Sequence, residues 1–214
     1  MTTEAPLATA VYRIEVHPAD VSDDPVGRNV FHEATEAGLA DGLQAVRSAR
    51  VFLIQGDLEP FIVERVAGEL LADPINQRFV IGGQEATDAA TIEIHYLPGV
   101  MDPVAMSTQD AIAEMLDESD AADRKPRIEV RTGFRYDFVG LDAQAAKTIA
   151  SRLLANTVIQ KIEVGVHHPE AFVTGQPYQF NLTHVPIREL DDEALQRMSR
   201  EAHLFLSLEE MQGV

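Results

Sequence analysis

His167 and His168 stand side by side, and neighbouring histidines invite a metal-site reading. Adjacent side chains in extended backbone point apart, however, and no H-x-x-x-H or H-E-x-x-H lies nearby, so the pair reads as part of a linker. Two arginine pairs, Arg47/Arg50 and Arg131/Arg135, could hold an anion, although solvated strand faces carry such arginines routinely. Asp24-Pro25 and Asp102-Pro103 each precede an expected helix and read as turn and cap devices rather than catalytic acids. Asp57 and Asp142 read as caps as well. The chain has no G-x-x-x-x-G-K phosphate loop, no G-x-G-x-x-G and no G-x-S-x-G nucleophile elbow. It has no cysteine, which excludes thiolate nucleophiles, disulfides and Cys-ligated metals. No catalytic, cofactor-binding or metal-ligating residue is therefore assigned from sequence.

The surroundings of these residues are strongly acidic. Lys plus Arg number 17 against 35 Asp plus Glu, a formal charge of −18 over 214 residues. Such a surface repels phosphate backbones and anionic lipid, so nucleic acid and membrane are not expected partners. Residues 1–10 carry Glu4 and no Lys or Arg, unlike a secretory leader, and read as a flexible tail. No apolar run approaches the ~18 residues of a membrane span. A cytoplasmic location is the expectation.

The chain repeats itself. Leu70-Leu71-Ala72-Asp73 matches Leu153-Leu154-Ala155-Asn156, and Gly82 matches Gly165, both at a shift of 83 (153 − 70 and 165 − 82). Val46-Arg47-Ser48 matches Val130-Arg131-Thr132 at 84 (130 − 46), and Asp24-Pro25 matches Asp102-Pro103 at 78 (102 − 24). Gln55-Gly56-Asp57-Leu58 has its counterpart in Val139-Gly140-Leu141-Asp142. The common order points to a tandem duplication, with unit 1 over residues 11–83 and unit 2 over 90–166.

Each unit reads alike. Tyr12–Val16 and Thr91–Tyr96 alternate with period two, as half-buried strands do. Helices are expected near Val26–Ala37 and Val104–Leu116. Two tight hairpins are expected next, Gln44–Arg47 with Arg50–Gln55 and Arg127–Arg131 with Phe134–Val139, the second turning at Gly133. Val63, Val66, Ala67 and Leu70 then form a helical stripe that Ala146, Ile149, Ala150 and Leu153 repeat, with Pro60 near the first helix start. Strands Gln77–Ile81 and Gln160–Val164 close the units, each before a glycine. The order β-α-β-β-α-β, twice, gives an α+β fold of two ferredoxin-like units, antiparallel sheets with helices on one face. By this alternation Ile128, Val130, Phe134, Tyr136 and Phe138 face the helices. Arg127, Glu129, Arg131, Arg135 and Asp137 share an open face that stays wet or meets a partner sheet.

Residues 167–214 differ in character. His167 to Pro186, with Pro169, Gly175 and Pro177, reads as an extended linker. Asp191–His203 reads as a helix with an apolar face of Leu195, Met198, Ala202 and Phe205. Ser207-Leu208-Glu209-Glu210 has the capping-box pattern. So short a helix cannot hold itself together, so it is either a frayed terminus or a segment that belongs against something outside this chain.

Specific residues resemble a known family. Leu153-Leu154-Ala155-Asn156-Thr157-Val158-Ile159, then Ile162-Glu163-Val164, is similar to the closing helix and strand of PurS, the small subunit of phosphoribosylformylglycinamidine synthase. Pro98-Gly99-Val100-Met101-Asp102-Pro103 resembles the family's opening strand, Asp-Pro and helix. The resemblance covers about 90–165, with 11–82 a more diverged copy. Val185-Pro186-Ile187-Arg188-Glu189-Leu190 and Leu204–Met211 resemble the start of the large synthetase subunit, PurL. The resemblance implies a scaffold in purine (IMP) biosynthesis, bridging a PurQ-like glutaminase and a PurL-like synthetase so that ammonia passes between them, with a homodimer possible. ATP, magnesium and glutamine would belong to the partner domains, with no cofactor and no catalysis in this chain. The alternative is a regulatory domain sensing an amino acid or nucleotide, with Pro98-Gly99 as its ligand loop.

Overall fold

The computed structural model describes residues 10–117, 128–172, 185 and 187–213. It comprises two compact units, Met1–Gly175 and Gln176–Val214. The predicted tail falls outside the described residues except for Ala10, which opens the first strand; Arg127, 173–184 (with Gly175 and Pro177) and Pro186 fall outside them too.

The first unit is α+β. Its strands are β1 Ala10–Pro18, β2 Ala45–Gly56, β3 Gln77–Ile81, β4 Ala89–Tyr96, β5 Glu129–Val139 and β6 Gln160–Val164. Its helices are α1 Pro25–Glu36, α2 Pro60–Arg65, α3 Pro103–Asp117 and α4 Ala143–Ile149. One six-stranded sheet runs β3-β1-β2-β5-β4-β6, and every pairing is antiparallel. The two predicted units therefore share a sheet, joined where β2 pairs with β5 from Ala45↔Val139 to Gln55↔Glu129. Arg50 faces Phe134, the residue 84 positions on (134 − 50), so this junction is symmetric about that pair.

The predicted hairpins do not form. β2 and β5 are each one uninterrupted strand, so each half runs β-α-β-α-β. Ser48 and Thr132 lie where the turns were expected, yet both point toward the helices and carry hydrogen bonds there. The Ser48 amide and hydroxyl donate to Asp24 at 2.5 and 2.7 Å, and those of Thr132 donate to Asp102 at 3.0 and 2.7 Å. Asp24 also accepts from the Gly27 amide at 2.7 Å and Asp102 from the Ala105 amide at 2.9 Å. Each aspartate thus caps a helix and fastens it to the adjoining strand. Asp24→Ala should cost about 2 kcal/mol, since it removes a cap and strands two buried donors. Urea unfolding checks this, and a midpoint unchanged from wild type would refute the fastening role.

The helices are exchanged between halves. Ile112 of α3 packs in a cluster with Ile14, Phe52, Ile54 and Val66, all from the first half. Val30 and Ala34 of α1 pack with Ile92, Phe138, Ala146 and Ile149, all from the second. Neither half closes its own core.

The second helix of each half ends in a π turn, Val66–Leu71 and Ala150–Leu154, where Ala72 donates to the Ala67 carbonyl and Ala155 to that of Ala150. The wider turn shifts the stripe, so Leu71 is buried and Leu70 only partly so. Asp142 caps α4 through the Ala145 amide at 2.8 Å. Asp57 does not cap α2; Glu59 occupies that position without a side-chain bond.

In the second unit, α5 (Asp192–Glu201) is capped by Asp191, and α6 (Leu208–Gln212) opens with the full Ser207–Glu210 capping box. The short helix finds its partner within the chain: α6 packs on α5, and Gln212 donates to Asp192 at 2.8 Å. Ser199 bonds Leu206 in both directions at 2.8 Å. α5 stops at Glu201, so Ala202 lies beyond it and Phe205 is 76 % exposed rather than part of an apolar face. Among the described residues no helix is long and apolar enough to cross a membrane.

Candidate functional site

The sheet face away from the helices was expected to be open. It is buried inside the first unit. β1 and β4 are separated by β2 and β5, three strand spacings or about 14 Å in a flat sheet. Arg13 of β1 nevertheless meets Glu93 of β4, at 2.6 and 3.1 Å, so the sheet curls toward this face. Gly133 explains how it can. It lies mid-strand beneath the His95 ring, and a Cβ there would collide with that ring and sit 2.9 Å from the Ile94 carbonyl oxygen. Its role is close approach, not the predicted turn.

Arg13 is the hub. Beyond Glu93 it donates to Glu15 at 3.1 and 2.6 Å and to the His167 carbonyl at 2.7 Å. Arg135 joins Glu15 at 2.9 Å to Asp137 at 3.1 Å. Thr91 donates to Asp137 at 2.7 Å. His17 lies 2.9 Å from Glu15 and His95 2.8 Å from Glu93. Two guanidiniums face three carboxylates, and the Arg13 and Glu93 side chains are wholly buried. Burial alone would raise the Glu15 carboxyl. The hydrogen bonds from His17 and Arg13 and the charges of Arg135 and Arg13 outweigh it and bring the pKa from 4.5 to about 2. Glu93 is likewise lowered, against burial, by His95 and Arg13. Arg135 is raised: burial opposes the shift, and Asp137 and Glu15 outweigh it.

The sequence candidates fall differently. Arg135 is sealed in this network, so it is no surface anion ligand. Arg131 pairs with Glu129 at 3.0 Å and lies 4.3 Å over the Phe172 ring. Arg47 pairs with Asp88 at 2.6 Å, while Arg50 turns to the opposite face, over Phe52 and toward the Leu71 carbonyl. The two arginine pairs therefore do not converge. His167 and His168 dock on the buried face rather than lying in a free linker. The His167 amide donates to Glu93 at 3.3 Å, and the His168 ring nitrogen sits 2.9 Å from the Val11 carbonyl.

The network escaped sequence reading, though a signal was there. Glu15-x-His17 recurs as Glu93-x-His95, at the same shift of 78 (93 − 15) that relates Asp24 to Asp102. The two Arg residues have no such echo: 78 after Arg13 stands Thr91, and 84 before Arg135 stands Val51.

Chemically the cluster is closed. Each carboxylate already has a cation or a donor, and its hydroxyl, Thr91, donates to a carboxylate instead of facing a base. Among the described residues no buried side-chain nitrogen or oxygen lacks a partner, and no group of three His, Asp or Glu is placed to hold a metal. The arrangement clamps three strands and the segment around His167 to one another. No protein-family model and no curated protein matches the chain.

Proposed function

We propose that this chain is an assembly module of the PurS kind. In this reading two ferredoxin-like units, each abridged by the fusion of its middle strands, stand in one chain where that family uses separate subunits. The module would bridge a glutaminase and an ATP-dependent synthetase of phosphoribosylformylglycinamidine synthase, in the cytoplasm, so that ammonia passes between their sites. It would itself supply no reacting group. Residues Val185–Leu190 and Leu204–Met211, resembling the start of the synthetase subunit, would lead toward the ATP-using domains.

The observation that carries the reading is the pair of sheet margins. β3 and β6 end the sheet, and both carry exposed apolar side chains, Phe79, Val80 and Ile81 on one and Val164 on the other. Ile75 and Val158, at matching turns 83 apart (158 − 75), are 88 % and 80 % exposed. Unpaired edges with apolar side chains are what a docking protein presents and a solitary one avoids. Holding two enzymes together raises the local concentration of a passed intermediate by proximity alone.

The test is co-elution of this chain with PurQ-like and PurL-like subunits by size exclusion. A ternary complex is expected, weakened by Val80→Lys or Val164→Lys, and the chain alone should form no amidine from ATP and glutamine. Separate elution of all three, or activity from the chain alone, would overturn the reading.

A further inference from the structure

β4 pairs with β5 only as far as His95↔Gly133, while β5 runs on to Glu129 with β2 alone beside it. Beyond that point lies a cavity of about 320 Å³, walled by the Leu97–Met101 loop, the start of α3 and the segment His167–Phe172. The volume falls in the usual range for small-molecule sites, roughly 300–1,000 Å³.

At the matching place in the first half the helix is seated closer to its strand. There Gly27 of α1 sits so near β2 that any Cβ would collide with the Val46 carbonyl oxygen. Its counterpart 78 residues on is Ala105, and that of Val46, 84 on, is Val130; both line the cavity. The connecting loops have equal length but opposite chemistry, Ala19-Asp20-Val21-Ser22-Asp23 against Leu97-Pro98-Gly99-Val100-Met101. The alanine keeps the start of α3 from approaching its strand as closely as Gly27 lets α1 approach, and the loop beside it is apolar rather than polar.

Its lining combines apolar side chains with two cations, in a chain whose net charge is −18. Leu53, Met106 and Phe172 supply apolar walls. Arg131 lies over Phe172, and Lys161 reaches within 3.3 Å of the His167 ring nitrogen. His167 is held below its ordinary pKa by burial first and then by Lys161 and His95, with Glu163 and Glu93 opposing. Acids are present but engaged. Glu129 lies on Arg131 and Glu163 on Lys161, Glu93 holds His95, and Asp102 binds the Ala105 amide and Thr132.

We propose that this cavity binds a small organic anion, a carboxylate or phosphate monoester on an apolar body. Lys161 and Arg131 take the anionic end, and Leu53, Met106 and Phe172 flank the body. The proposal is independent of the assembly reading and survives its failure.

Titrations of the full chain followed by amide ¹⁵N shifts test it, with phenyl phosphate, benzoate, inorganic phosphate and benzyl alcohol as probes. Phenyl phosphate or benzoate should bind with Kd below about 1 mM and move the amides of Leu97–Met101 and Lys161; whichever binds more tightly identifies the anion. Inorganic phosphate, lacking the body, and benzyl alcohol, lacking the charge, should each bind at least ~10-fold more weakly. Lys161→Met should weaken binding about 10-fold, and Met106→Trp, which fills the space from an exposed position, should abolish it. Binding of benzyl alcohol as tight as that of either anion, no saturable shift with either anion, or unchanged affinity in both folded variants would each overturn the proposal.

Discussion

Arg13→Met should cost about 3–5 kcal/mol, the usual effect of removing one partner from a buried ion pair. The loss comes less from the missing attraction than from what stays behind. Glu15 and Glu93 would remain at 3 % and 0 % exposure without the guanidinium that bonds both, and the His167 carbonyl would lose its donor. Neutralising the acids should recover most of it, so Arg13→Met with Glu15→Gln and Glu93→Gln is expected to be far closer to wild type than the single variant. Urea unfolding of the three proteins decides the matter. A single variant within about 0.5 kcal/mol of wild type would mean that the cluster holds nothing together.

Acid should unfold the protein along the same seam. The Glu15 carboxyl has a native pKa of about 2 against 4.5 when free. A lowered native pKa stabilises the fold above the free value, and this contribution fades as pH falls from 4.5 toward 2. The difference corresponds to about 3 kcal/mol from this one residue, and Glu93, also lowered, adds in the same direction. Stability measured by urea at fixed pH should therefore drop steeply below pH 4.5, and Glu15→Gln should flatten that slope. A slope unaltered by the substitution would place the acid sensitivity elsewhere.

Much of this architecture was legible. β3 and β6 were read to their terminal residues, and Asp24, Asp102 and Asp142 were rightly taken as caps, because these signals are local. What failed was non-local. The turns expected around Ser48 and Thr132 did not form because the partners that hold these residues in strand, Asp24 and Asp102, lie 24 and 30 residues away. Gly133 resembled a turn because no alternation can show that the His95 ring would lie above it. The charged face was left to solvent or a partner sheet because period two reports which residues share a side, not what covers it. Arg13 and Glu93, 80 residues apart, meet only through the curl of the sheet. Phe205 fitted a helical stripe that the chain abandons after Glu201.

The exchange of α1 and α3 has a kinetic consequence. When α1 leaves the ribosome, the side chains it must cover, such as Ile92 and Phe138, are still untranslated. The first half cannot settle into a stable intermediate of its own, and β2 waits with an unsatisfied margin until β5 arrives. Folding with such long-range closure is slow and exposes sticky surface on the way.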